Sequence, residues 1–240
     1  MMRARGAVVA ACVAALGTLA CVGAAGLGAR EARQVRSVAG FDGVSFSTAG
    51  ELVITQGDRE SLEITAAADE LPRIVTEVRD GVLHIGRDGP DSSIALRHPV
   101  FRLTVTSLAS LEVLSSGSAT VAGLRTGDLR LRSSSSGGIT IDGLFARALE
   151  VRISSSGSIR LQGSVERQSV VLSSSGSYAA AKLASRQAVV RLSSSGTATL
   201  HCSDSLEADV TSSGSVRYYG SPRDVDGNVT SSGRLVRMGD

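Results

Sequence analysis

Tryptophan is absent from this 240-residue chain, and all aromatic residues together make up only 3% of it. A bulky-centred globule is thereby excluded. The core has to be assembled from Val, Leu, Ile and Ala, whose small side chains suit tightly layered sheets. Cysteine occurs three times, at Cys12, Cys21 and Cys202, and lysine once, at Lys182. Two of the cysteines fall in an N-terminal apolar segment. The rest of the chain has the single thiol of Cys202, which makes neither an intrachain disulfide nor a zinc site; it reads as a partly buried small apolar residue. An excess of one charge is also missing. The chain has 25 basic and 23 acidic residues, and without Arg3 and Arg5 of the leader the basic count falls to 23, equal to the acids. A neutral chain lacks the electrostatic footprint of a nucleic-acid-binding protein.

What is present begins with that leader. After a short basic start, an Ala-rich apolar run extends from about Gly6 to Gly28. Its length raises the question of a membrane span. Yet Val22, Gly23, Ala24 and Ala25 follow its most apolar part, which is the grammar of a secretory signal peptide. The expectation is export, with residues 1–29 as the signal and an uncleaved anchor as the alternative. Cys21 follows Thr18-Leu19-Ala20, of which only Ala20 fits a lipidation box. A lipid anchor at Cys21 is thus a second route to a membrane; otherwise this cysteine leaves with the signal.

The rest of the sequence counts. Runs of serine end in Gly117, Gly137, Gly157, Gly176, Gly196, Gly214 and Gly233, at spacings of 20, 20, 19, 20, 18 and 19. A linker has no reason to keep such a period. Four residues before each glycine stand Val113, Ser133, Ile153, Leu172, Leu192, Val210 and Val229. Six before stand Leu111, Leu131, Val151, Val170, Val190, Ala208 and Gly227, and between these columns most residues are polar, as Glu112, Arg132, Arg152 and Arg191 are. Alternation of this kind is a strand with one face inward. Two after each glycine a second strand starts its own inward column: Ala119, Ile139, Ile159, Tyr178, Ala198, Val216 and Leu235. Each repeat is then strand, Ser-Ser-Gly corner, strand and a turn often carrying Gly. Twenty residues cannot bury both strands alone, but coils stacked at about 4.8 Å pair in parallel and share one core. The fold class expected is all-β: a right-handed parallel β-helix with coils of about 20 residues, its hand following the general crossover preference. Serine hydroxyls are expected to bond up the corner column and to turn backbone, and Gly to supply the corner's φ. Leucine-rich repeats share the length but not the motif, and the GGxGxD phrase of calcium-binding rolls is absent.

Residues 38–240 read as one domain, with irregular coils over 38–110 and regular Ser-Ser-Gly coils over 111–240. In the first part Phe46 to Ile54 has the strand–glycine–strand shape, and Leu62–Thr65 and Val82–Ile85 are further strands. Asp69 to Thr76 is expected to form a short helical cap, and Arg87 to Pro99, with Gly-Pro and His-Pro, an exposed loop. Three stretches carry a resemblance: Gly50-Glu51-Leu52-Val53-Ile54-Thr55-Gln56-Gly57-Asp58, then Asp80-Gly81-Val82-Leu83-His84-Ile85, then Leu108 through Ser118. In that order they resemble the putative auto-transporter adhesin "head GIN" domain family, over roughly residues 38–240. The resemblance implies a secreted or envelope-attached bacterial β-helix and no established activity. This chain has longer serine runs than the family's Ser-Gly-Ser corner, and contains no segment patterned as a translocator barrel.

Chemistry-bearing residues are few. Glu207 and Asp226 share an outward column on neighbouring coils and Asp209 lies two residues from Glu207, so the three carboxylates fall within about 5–7 Å by strand and rung geometry. Clustered carboxylates are what a β-helical polysaccharide lyase or hydrolase needs. The competing reading is a solvated acidic patch offset by Arg191. His84, His98 and His201 are scattered without metal-ligand spacing, no G-x-S-x-G elbow, P-loop or Rossmann phrase occurs, and Asn228-Val229-Thr230 reads as ordinary strand rather than a glycan acceptor. The expectation is therefore no catalytic, cofactor or metal site. The chain reads as a non-catalytic exported envelope module for adhesion or protein contact, its partner an envelope protein or surface ligand. A β-helical carbohydrate-active enzyme is the alternative.

Overall fold

The computed structural model describes residues 30–87 and 97–239. The expected export segment, Cys21 and most of the 87–99 loop lie outside the described residues. The chain forms a parallel β-solenoid of about six turns, as its period implies. Its regular part runs through β8 (Ser110–Val113), β9 (Ser118–Ser133), β10 (Gly138–Ile153), β11 (Ser158–Leu172) and β12 (Ser177–Leu192). It ends in β13 (Thr197–His201), β14 (Ser205–Val210), β15 (Ser215–Tyr219), β16 (Asp224–Val229) and β17 (Arg234–Arg237).

Each long strand bends around three sides of a coil. In β9 these are Ser118–Ala122, a short side at Leu124–Thr126, and Asp128–Ser133, and β10 matches all three residue for residue. The inward columns are those expected from the spacing. Val113 lies over Ser133, then Ile153, Leu172, Leu192, Val210 and Val229. Nearly all of these side chains are sealed from solvent until the last coil. Ser133, the one hydroxyl in the column, donates inside the core to the Gly137 carbonyl at 3.2 Å.

The corners are held differently from expectation. Bonds from one corner to the next come from the main chain: Ser154 N–H donates to the Ser133 carbonyl at 3.0 Å, and Ser158 N–H to the Gly137 carbonyl at 3.1 Å. Among the described residues side chains add to these from Thr211 Oγ1 to the Leu192 carbonyl at 3.4 Å and, in the first coil, from Ser47 Oγ to the Ile85 carbonyl at 3.2 Å. Nor do the glycines that end the serine runs supply an unusual φ; in the last two corners Ser212 and Ser231 carry it, at +63° and +59°. A methyl on Gly137 would stand 2.5 Å from the carbonyl oxygens of Gly117 and Ser115 and 2.6 Å from Val113 Cγ1. Space, not torsion, selects glycine there. The torsional requirement falls on the other turn, where Gly143 has φ +78°.

The N-terminal strands are β1 (Glu31–Arg36), β2 (Gly43–Phe46), β3 (Glu51–Gln56), β4 (Ser61–Ala67), β5 (Ile74–Arg79), β6 (Val82–Arg87) and β7 (Val100–Val105). They extend the same inward columns: Ile85 lies on Phe46 and Phe46 on Val113. Their order in the stack departs from their order in sequence. The β2–β3 coil is clamped between β6–β7 on one side and β8–β9 on the other. The outer end is closed by antiparallel partners, β4 on β7, β1 on β4 and β5 on β6. The cap expected over Asp69–Thr76 is reduced to a 3-10 turn at Leu71–Arg73, and Ile74 already begins β5. Pro72 withholds an amide from any longer helix, and the β-branched Ile74-Val75-Thr76 favour a strand. Phe46 and Phe101 meet edge to face at 5.3 Å in this end of the core, where with Phe41 three of the chain's four Phe residues are buried.

Candidate interaction surface

The expected carboxylate group is partly assembled. Glu207 and Asp226 are register partners on β14 and β16, and Asp209 follows on the same face. Arg191, one coil earlier, pairs with the two on β14: Nη2 is 3.0 Å from Glu207 and Nε is 3.5 Å from Asp209. Asn228 approaches Asp209 at 3.5 Å. All of them lie on a solvated side, and no three His, Cys, Asp or Glu groups among the described residues converge around a metal position. His84 points outward from β6, and His98 lies in a loop with φ +50°.

His201 joins a buried polar relay that the period does not announce. Tyr178 replaces an aliphatic residue in its column and is fully buried. Its hydroxyl donates to Gln168 Oε1 at 2.7 Å. Gln168 Nε2 donates to Ser185 Oγ at 2.7 Å, and Ser185 Oγ donates to the His201 carbonyl at 2.6 Å. Burial raises the Tyr178 phenol above its ordinary range. Next to the relay, Cys202 is wholly buried with Sγ 3.0 Å from the Ser205 carbonyl, and burial raises its thiol as well. A neutral, enclosed thiol is a weak nucleophile.

The short side of the solenoid carries a recess with an exposed aromatic residue at its head. Its outward column reads Arg125, Phe145, Ser164, Ala184 on successive coils. Two long side chains are thus followed by two short ones. The step leaves a recess of about 560 Å³, with Phe145 at one end and Ser164 and Ala184 in its floor. Arg147, Glu166 and Arg186 stand along the adjoining corner, and His201 and Ser203 close the far end. Arg147 is held by Asp128 and Arg186 by Asp204, both at 2.8 Å. Phe145 is 44% exposed, and the Arg125 guanidinium lies 4.4 Å from its ring centroid. Sequence reasoning passed over this residue. Its signal was parity: Leu144 faces the core, so Phe145, one of only four phenylalanines, has to face solvent.

Among the described residues the chain is thus a β-solenoid whose short side carries a recess headed by an exposed aromatic residue. The chain matches the family described as "Putative auto-transporter adhesin, head GIN domain" over residues 40–222, and it belongs to that family. Similar solved structures include a putative adhesin from Bacteroides fragilis, 21% identical with TM-score 0.82, covering 87% of this chain and 97% of that one. A putative lipid binding protein from Parabacteroides distasonis is 20% identical with TM-score 0.72, covering 87% and 96%. A putative adhesin from Parabacteroides merdae is 18% identical with TM-score 0.67, covering 87% and 96%. At such identities the likeness is one of fold. No curated protein matches the chain.

Proposed function

We propose that this protein is a non-catalytic, exported adhesion module that grips a protein partner of the cell envelope through the recess beside Phe145. Export rests on the apolar leader, and adhesion on the family and on the names its structural neighbours carry. The observation that carries the reading is the exposed Phe145–Arg125 pair at the head of the recess. Aromatic and Arg side chains dominate the binding energy of protein interfaces when seated near a concavity. The enzyme alternative has less support, because Arg191 already neutralises two of the three carboxylates it would use. The test is capture from an envelope fraction by the wild type, by Phe145→Ala and by Ser164→Arg, which fills the floor. Both substitutions touch outward positions, so circular dichroism should be unchanged. Loss of the captured protein in both variants is expected. Undiminished capture by both overturns this surface, and turnover of an acidic polysaccharide that vanishes when Glu207, Asp209 and Asp226 become amides overturns the non-catalytic reading.

A further inference from the structure

The last coil differs from every coil before it. β16 pairs only with β14 and β17 only with β15; among the described residues no strand lies on their outer edges. The core columns therefore reach solvent. Leu206 is 2% exposed while its neighbour in the column, Val225, is 44% exposed; Val210 is sealed while Val229 is 40% exposed. Outer edges with free N–H and C=O groups are templates for strand addition, and stacked repeats ordinarily end in a polar terminal repeat. β16 and β17 are short and charged, yet among the described residues no further coil covers their Val225 and Val229 columns.

Charge around this edge is divided by the Thr230–Gly233 corner. β16 carries Asp224 and Asp226, while β17 carries Arg234 and Arg237, with Arg217 one coil behind. The chain runs along β16 toward the corner and along β17 away from it. A two-fold axis through the corner consequently lays β16 of one copy antiparallel on β17 of the other, twice over. The contact is isologous and closed. It sets an acidic strand on a basic strand in both halves and covers the Val225, Val229 and Leu235 columns. The opposite end of the solenoid offers no such match, since β1 alternates Glu31, Arg33 and Arg36.

We propose that the C-terminal coil is a self-association surface, through which two copies of this chain join end to end with β16 of each on β17 of the other. The occupant is a second copy because the divided charge is complementary to itself under that rotation and to nothing else on the molecule described above.

Charge exchange tests both the partner and the geometry. One variant carries Asp224→Arg and Asp226→Arg; the other carries Arg217→Asp and Arg234→Asp. None of these four side chains makes a hydrogen bond or ion pair within the described chain, so folding should be retained, as circular dichroism will check. Sedimentation velocity of the purified protein should show wild-type dimers that weaken with added salt. Each variant alone sets like charges on each other and should self-associate at least about tenfold more weakly. An equimolar mixture of the two should regain the dimer, since each then meets the opposite charge. A wild-type monomer at all concentrations overturns the proposal. So does a mixture that stays monomeric, or a variant that dimerises as well as the wild type.

Discussion

Leu172 is the natural place to break the solenoid. It lies in register between Ile153 and Leu192, and all three are at most 1% exposed. Its Cδ2 reaches the underside of the next corner, 3.3 Å from where a methyl on Gly196 would stand. Leu172→Ala removes three carbons from that ladder. Lost transfer free energy accounts for about 2.4 kcal/mol at ~0.8 kcal/mol per carbon. A cavity term adds to this, and large-to-small changes of this kind total about 2–5 kcal/mol. Main-chain ladders on both sides fix the rung spacing, so the walls cannot close along the axis and the cost belongs to the upper half, about 3.5–5 kcal/mol. Arg191→Ala is the control, one residue from Leu192 and pointing outward. It loses the contacts to Glu207 and Asp209, but the side chain is 54% exposed. Exposed pairs of this kind contribute about 0.2–1 kcal/mol. Urea unfolding measures the two costs. Hydrogen exchange should rise first around Val151–Ile153 and Val190–Leu192, since each coil supports its neighbours. Equal destabilisation by the two substitutions, or a Leu172→Ala cost below about 1 kcal/mol, would refute the inside–outside assignment.

Glycine offers a second contrast: Gly137→Ala, whose methyl would meet backbone carbonyls at 2.5 Å, should lower the urea midpoint sharply, whereas Gly127→Ala, with nothing within 4 Å, should leave it unchanged or raise it by up to about 1 kcal/mol in stability. Stability should also fall in alkali. Burial lifts Tyr178 and Cys202 above their ordinary values of 10.0 and 9.0. The unfolded chain therefore releases these protons first, and the native state holds the larger number as pH rises. Their stabilisation is complete below about pH 9 and is lost progressively above it. Urea unfolding at several alkaline pH values should show a steeper decline for the wild type than for Tyr178→Phe; equal slopes would remove Tyr178 from the account.

The regular coils were legible because a parallel stack repeats its environment. Val, Ile or Leu four residues before every glycine but Gly137, where Ser133 stands, could be aligned by counting, and every aligned set proved to be a register column. The corner chemistry was legible only in outline. Serine-rich corners were recognisable as ordered, but counting residues cannot distinguish a glycine chosen for φ from one chosen because Gly117 O stands where its methyl would be. The N-terminal order was not legible at all. β2 and β6 look like successive coils in sequence, and nothing local records that β8 will take the other flank of β2. Phe145 and the Tyr178 relay are departures from the repeat, visible in sequence as an aromatic residue of outward parity and a tyrosine in an aliphatic column. The alignment that revealed the fold averaged such departures away.

The clamped β2–β3 coil also bears on the order in which a chain emerging from its N-terminus can assemble. Residues 43–56 are the first coil to appear, yet one flank waits for residues 82–105 and the other for residues 110–133. Those closures span long loops, whose entropy has to be met before any contact rewards it. The first half of the molecule is therefore a slow, all-at-once nucleus. From Gly138 onward each coil finds a finished template and adds in sequence, one rung at a time. A chain that emerges N-terminus first therefore has to complete the clamped coil before the regular coils have a template on which to add.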